Sequence, residues 1–252
     1  MRPAVGGSWV VVLGATSPIA RAVAGELAAR GHSLLLAGRD TGELERIAAD
    51  LSIRHGGDVA TVAYDARDAG AARKLLAAVE ARAAGGLEGV VAAVGMLGDA
   101  ERAATDPVYA AEMIQANFTG VVAAVTGLAN LLAARRAGFI IGVASVAGDR
   151  GRQSNYAYGA AKGGFALWLQ GLRNRMWHVG VRVLTVKPGF VDTEMTYGLP
   201  GMFLVAHPKR VGVAIARALD QGRDVIYVPG FWRPIMWVIR AIPERLFKRL
   251  RL

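Results

Sequence analysis

The sequence predicts a single α/β domain built as a doubly wound parallel sheet, and three observations carry that prediction. Short apolar runs recur along the chain, Ala- and Leu-rich stretches at helical spacing separate them, and a glycine-bearing turn directly follows the first run. The expected strands are Val10 to Leu13, Ser33 to Ala37, Val59 to Tyr64, Val90 to Ala93, Phe139 to Ala144, Val181 to Val186 and Val225 to Val228, seven in all. Their near-continuous Val, Ile and Leu content suits strands covered by helices on both faces. A chain of 252 residues fits one core of ordinary size. Residues 1–230 are assigned to the sheet domain and 231–252 to a basic amphipathic C-terminal segment.

Composition narrows the chemistry. With no cysteine there is no disulfide, thiolate metal site or thiol nucleophile, which suits a reducing, cytoplasmic compartment; no metal site is expected. Met1 to Ser8 lacks the pattern of a secretory signal, so none is expected. The net charge of +10 would fit a nucleic-acid binder, but much of the excess is local. From Phe231 onward, six basic residues (Arg233, Arg240, Arg245, Lys248, Arg249 and Arg251) stand against one acidic residue, Glu244. No nucleic-acid partner is expected. The same segment carries Trp232, Met236, Trp237, Ile239, Ile242, Leu246, Phe247 and Leu250, and two readings of it stand side by side. It is either an interfacial helix held against anionic headgroups on the inner face of a membrane, or a packing segment seated on the protein or on another subunit. It is no span, because Arg233 and Arg240 break the apolar run well short of ~20 residues.

Ligands of doubly wound sheets bind beyond the carboxyl ends of the strands, and the chemistry-bearing residues cluster at those positions. After the first strand, Gly14-Ala-Thr-Ser-Pro-Ile-Ala20 leads into a helix. Gly14 permits close backbone approach, Thr16 and Ser17 offer hydroxyls ahead of Ile19, and the helix start presents free amides and a positive dipole end to a pyrophosphate. Pro18 and Ala20 stand where glycines would be expected, so a plain strand-to-helix turn is the competing reading. After the second strand, Arg39 offers a guanidinium in place of a ribose-binding carboxylate. That favours NADP(H) as cofactor, with NAD(H) as the alternative. Asp65, past the third strand, either accepts a hydrogen bond from an adenine amino group or caps the next helix.

Tyr158 and Lys162, four residues apart, share one face of a helix, and the ammonium is expected to lower the phenol's proton affinity. Ser145, 13 positions earlier, can donate a hydrogen bond to the same substrate oxygen. The trio fits proton transfer to a carbonyl.

With this nucleotide turn and trio in order, the chain resembles the short-chain dehydrogenase/reductase family over essentially its whole length. Asn117-Phe-Thr-Gly120 and Pro188-Gly189-Phe-Val-Asp-Thr193 extend the match. The resemblance implies a Rossmann-type fold, an NAD(P)-dependent oxidoreductase acting on a ketone or secondary alcohol, and a homo-oligomer. It makes Tyr158 the general acid/base, Lys162 its activator and ribose ligand, Ser145 the carbonyl-orienting hydroxyl and Asn117 a member of a proton relay. Gly95, Pro188 and Gly189 fall to the cofactor site, Val191 to the nicotinamide carboxamide and Thr193 to the phosphates. Ala92-Ala93-Val94-Gly95 departs from the family's two asparagines, alanine and glycine; only Gly95 survives. More narrowly, Gly95-Met-Leu-Gly-Asp-Ala-Glu101, Ala147-Gly-Asp-Arg150 and Ile242-Pro-Glu-Arg-Leu-Phe-Lys-Arg-Leu250 resemble decaprenylphosphoryl 2-keto-ribose reductases, which implies a lipid-linked carbonyl as substrate, with a small-molecule carbonyl as the alternative.

Residues 194–206 read as an apolar lid, with Gly198 and Gly201 as hinges and Met195, Leu199, Met202, Phe203 and Leu204 as cover. Two other functions compete with catalysis: a non-catalytic nucleotide sensor, suggested by the altered turn and missing asparagines, and a membrane-associated scaffold whose working part is the tail.

Overall fold

The computed structural model describes residues 7–83, 86–195 and 203–250. In chain order the elements are β1 (Trp9–Leu13), α1 (Pro18–Ala28), β2 (Ser33–Gly38), α2 (Thr41–His55), β3 (Val59–Ala63), α3 (Ala71–Ala83), β4 (Leu87–Ala92), α4 (Ala100–Thr105), α5 (Pro107–Ile114), a π-helical turn (Gln115–Thr119), α6 (Gly120–Arg135), β5 (Phe139–Val143), a 3₁₀ turn (Val146–Asp149), α7 (Tyr156–Trp177), β6 (Arg182–Pro188), α8 (Pro208–Asp220), β7 (Val225–Val228), α9 (Trp232–Ala241) and α10 (Glu244–Phe247). All seven expected strands form, with ends shifted by a few residues. They make one parallel sheet in the order β3-β2-β1-β4-β5-β6-β7.

Alternation along each strand feeds two core layers. Val10 and Val12 of β1 face one side, where they meet Val23 and Leu27 of α1, Leu44 and Ile47 of α2, and Val211 and Ile215 of α8. Val11 and Leu13 face the other, against Leu75 of α3, Val125 and Leu128 of α6, and Phe165 and Leu169 of α7. Both strand faces are therefore buried, the condition under which apolar runs lose their period-two alternation. The stretch Pro107–Arg135 is long and apolar enough to cross a bilayer, yet half of its apolar window is buried, and Val121, Val125, Leu128 and Leu132 pack on the sheet.

The strand order reverses beside β1, and that topology opens a crevice between the ends of β1 and β4. Gly14 turns out of β1 at φ +73°, a conformation that side-chain-bearing residues rarely adopt. A Cβ there would sit 2.9 Å from the Ala93 carbonyl oxygen, so the chain closes against the segment after β4 only with glycine. α1 then starts with Pro18 in its first turn, where no N–H is missed. The proline that degraded the glycine pattern is thus compatible with a helix start aimed at the crevice.

The C-terminal segment packs on the body with one face and leaves the other to solvent. Trp232 and Met236 of α9 are buried against Val146, and the Arg150 guanidinium pairs with Glu244 at 2.6 Å while lying over the Phe247 ring. Trp237, Val238 and Leu246 remain exposed among Arg233, Arg240, Arg245, Lys248 and Arg249.

Candidate active site

Ser145 leaves β5 in an extended conformation and caps the 3₁₀ turn, its hydroxyl oxygen accepting from the Ala147 amide at 3.1 Å. The same hydroxyl hydrogen-bonds Tyr158, in the first turn of α7. Gly148 and Gly163 bring the two elements this close: a Cβ on Gly148 would lie 2.5 Å from the Gly163 amide nitrogen. One helical turn beyond Tyr158, the Lys162 ammonium is buried and donates to the carbonyls of Val94 at 3.0 Å and Val143 at 3.1 Å.

Burial sets the protonation of this pair. It pushes the Tyr158 phenol above its ordinary value of 10, with the Ser145 contact acting in the opposite direction, and it lowers the Lys162 ammonium to about 8. The lowering of the phenol expected from the helical spacing is thus overridden by desolvation, and Tyr158 stays a neutral donor at neutral pH. An ammonium near 8 keeps most of its charge there.

Asn117 is fully buried in the π-helical turn, a helix irregularity that often marks functional sites. Its Oδ1 accepts from the Met96 amide at 3.0 Å, and its Nδ2 donates to the carbonyls of Met96 at 2.8 Å and Met113 at 2.9 Å. Gly95 lies between this amide and the lysine: a Cβ there would be 2.9 Å from both Asn117 Oδ1 and Lys162 Nζ. The surviving glycine after β4 thus holds a position that no larger residue fits without movement.

These groups open on a cavity of about 900 Å³, lined by Ser145, Tyr158 and Lys162, with Pro188, Gly189 and Val191 beyond β6. A smaller cleft of about 240 Å³ adjoins it, lined by Gly14, Thr16, Ser17, Arg39 and Asp65. Ser17, Ile19, Gly95 and Thr193 border both. All the sequence-predicted site residues except Asn117, which is buried behind Gly95 and lines neither space, therefore border these two adjoining spaces. The Ser17 side chain makes no cap bond to α1 and borders the cleft.

Asp65 caps no helix, since α3 begins at Ala71. Its carboxylate instead accepts from the backbone and guanidinium of Arg67, at 2.9 Å and 2.7 Å, which holds it below the usual carboxylate range. Arg67 thereby adds a second guanidinium to the cleft beside Arg39, signalled only by its place two residues after Asp65. Trp232 was also missed as a site residue: its indole nitrogen lies where a Gly189 Cβ would be, 1.9 Å from that position. It meets Phe190 edge-to-face and Phe203 of the expected lid at a tilt, at ring-centroid separations of 5.6 and 5.4 Å. A bridge between Val191 and Ala206 closes the base of the 194–206 segment. Gly198, Leu199, Gly201 and Met202 lie outside the described residues. Among the described residues no group of three or more His, Cys, Asp or Glu is placed to hold a metal.

The family profile described as short chain dehydrogenase matches residues 8–200. This chain belongs to the short-chain dehydrogenase family. It is accordingly an NAD(P)-dependent oxidoreductase. Relatives of the same kind include an uncharacterized oxidoreductase of Mycobacterium tuberculosis, 36% identical over 245 residues that cover 97% of this chain and 98% of the relative. A second, from the mprA 5′ region of Streptomyces coelicolor, is 36% identical over 244 residues, covering 96% and 95%. Among solved structures, a short-chain dehydrogenase from Sphingobium yanoikuyae in complex with NADPH superposes with a TM-score of 0.80 at 22% identity, covering 94% of this chain and 97% of that one. A bulky-bulky ketone specific alcohol dehydrogenase from Comamonas testosteroni gives 0.79 at 20%, covering 94% and 95%. At these identities the structural likeness speaks for the fold.

Proposed function

We propose that this short-chain dehydrogenase interconverts a ketone and a secondary alcohol, with NADP(H) as its preferred cofactor. The observation that carries this reading is the meeting, on one cavity, of a buried phenol bonded to a serine hydroxyl and a buried ammonium one helical turn away. The crevice fits such a cofactor, because Gly14, whose missing Cβ lets the turn close against the Ala93 backbone, lines the cleft together with Thr16, Ser17 and the start of α1. When bound, the nicotinamide supplies or accepts the hydride.

Gly14, Thr16, Ser17 and Ile19 hold the pyrophosphate, with Thr193 closing on the phosphates from the other side. Arg39, with Arg67 beside it, takes the 2′-phosphate, and two guanidiniums favour the phosphorylated cofactor over NAD(H). Asp65, fixed by Arg67, borders the adenine. Lys162 holds ribose hydroxyls, Val191 meets the carboxamide, and Gly95, Pro188 and Gly189 let the crevice walls approach closely. In the reducing direction Ser145 orients the substrate oxygen and Tyr158 gives it a proton. Lys162 then stabilises the phenolate that forms, which burial alone would make costly. The Asn117 side chain is spent on Met96 and Met113, so its part in a proton relay runs through main-chain atoms.

On the substrate side, Phe190 and Trp232 form an aromatic wall against Phe203 of the expected lid segment, which suits an apolar ketone. The exposed Trp237, Val238 and Leu246 among basic residues support peripheral contact with the inner face of a membrane, and with it a lipid-linked keto sugar as substrate. Assembly into a homo-oligomer completes the reading. Cofactor-coupled turnover on a panel of simple ketones and prenyl-phosphate keto sugars, run with NADPH and NADH in parallel, tests it. The expected result is turnover with NADPH ahead of NADH. NADPH binding without turnover on any member would favour a nucleotide sensor instead, and failure to float with anionic vesicles would remove the membrane contact.

A further inference from the structure

Arg152, in the loop between the 3₁₀ turn and α7, lines the same cavity as Ser145 and Tyr158 and does not border the adjoining cleft of Gly14, Arg39 and Asp65. Its Nε is sealed from solvent and has no hydrogen-bond partner within the protein. Among the described residues no carboxylate pairs with it. Glu101, the acidic residue on the cavity wall, is exposed and makes no ion pair with it. Burial lowers the guanidinium from its usual value with no opposing charge to compensate, although the group remains a cation at any working pH. Two other buried polar atoms on this cavity also have no partner, the Trp232 indole nitrogen and the Asn155 side-chain oxygen.

A half-buried guanidinium without an anion is costly, and its persistence in a structure calls for a ligand that completes it. Structural arginines of this chain are satisfied: Arg173, of similar burial, donates to the carbonyls of Val183 and Asp224 and to the Thr185 hydroxyl. Arg152 makes no such side-chain bonds among the described residues, and it lines the space where the substrate of the proposed reaction must lie. We propose that Arg152 is the substrate's anion anchor, so that the ketone handled at Tyr158 carries a carboxylate or a phosphate, gripped by the guanidinium with the Trp232 indole N–H as a further donor. The Asn155 oxygen is then free to accept from a substrate hydroxyl. This inference rests on the ketone-reductase reading, and it sharpens that reading from an apolar ketone to one with an apolar body and an anionic group.

The test compares matched ketones, each as a free acid or phosphate and as its neutral ester, in the NADPH-loaded wild-type protein and in Arg152→Gln and Arg152→Lys. Water-soluble keto acids and keto phosphates form one arm and prenyl-phosphate keto sugars in micelles the other, which tells the two sources of anion apart. A charge-assisted bidentate contact corresponds to roughly ten- to hundred-fold in binding. The wild type is expected to favour the anionic member by at least about ten-fold in kcat/KM, Arg152→Gln to bring that ratio toward unity, and Arg152→Lys to restore part of it. In parallel, inorganic phosphate is titrated calorimetrically into the NADP-saturated proteins, where the cofactor's own phosphate sites are filled. Arg152→Gln is expected to weaken phosphate binding at least about ten-fold. If no ketone turns over, the reductase reading fails, and the phosphate titration still decides the role of Arg152. No difference between wild type and Arg152→Gln in either readout overturns the proposal.

Discussion

Replacing Gly95 by alanine tests the link between the nucleotide crevice and the catalytic trio at a single atom. The added Cβ would stand 2.9 Å from Asn117 Oδ1, 2.9 Å from Lys162 Nζ and 3.3 Å from Lys162 Cε. Neither neighbour is free to retreat. Asn117 Oδ1 holds the Met96 amide, and Lys162 Nζ holds the carbonyls of Val94 and Val143. Overpacking of this kind costs about 1–3 kcal/mol. In a domain of this size that corresponds to a fall in melting temperature of roughly 2–12 °C. The effect on turnover should be larger in proportion, because an ångström of misplacement at a catalytic group costs on the order of a hundred-fold. The assay is thermal melting beside kcat/KM, with Gly25→Ala as control. Gly25 lies in α1 with open space around its Cβ position, so alanine there should add about 0.5–1 kcal/mol of stability. A Gly95→Ala protein that melts and turns over like the wild type would refute the account of how Gly95 seats Asn117 and Lys162.

Other consequences can be checked on purified protein. Asp149 is almost fully buried, bonded to the Tyr227 hydroxyl at 2.7 Å and paired with Lys187; Asp149→Ala strands that ammonium and should cost roughly 3–5 kcal/mol, read as a lowered urea midpoint. Lys162, lowered to about 8, is charged in the unfolded chain and neutral in the folded one between about pH 8 and its ordinary 10.5. The unfolded state binds the extra proton there, so stability should rise with pH across that window, by roughly 3 kcal/mol for this group, and the rise should vanish in Lys162→Met. Tyr158, raised above its ordinary 10, stays neutral in the folded state while the unfolded phenol ionises near 10, so it opposes the rise at the top of that window. Because the ammonium also serves catalysis, kcat/KM for ketone reduction should decline as pH rises through about 8.

The sheet was legible because its strands are buried on both faces, which writes Val, Ile and Leu runs into the sequence at regular intervals. Tyr158 and Lys162 were legible because a helix sets their spacing locally, and Ser145 because it stands at the carboxyl end of a strand ahead of them. Electrostatics were less so: the sign of the Tyr158 shift depends on how deeply α7 seats its first turn against the 3₁₀ turn, and spacing carries no information about burial. A cap was one of two readings of Asp65 because helix starts follow strands closely, whereas here it is held by Arg67 ahead of a longer turn. Trp232 was read as part of a tail, since nothing local reveals that α9 folds back to wall the cavity beside Gly189. Arg152 carried no signal at all, because its meaning lies in the partner it lacks.

The central claim is that Tyr158 transfers the proton while the crevice binds the cofactor independently of it. Tyr158→Phe keeps the ring and removes only the hydroxyl, so NADPH affinity measured by fluorescence titration should match the wild type. Turnover on any accepted ketone should fall by about 10²–10⁴-fold. Turnover retained at the wild-type level in a Tyr158→Phe protein that still binds NADPH would contradict the account.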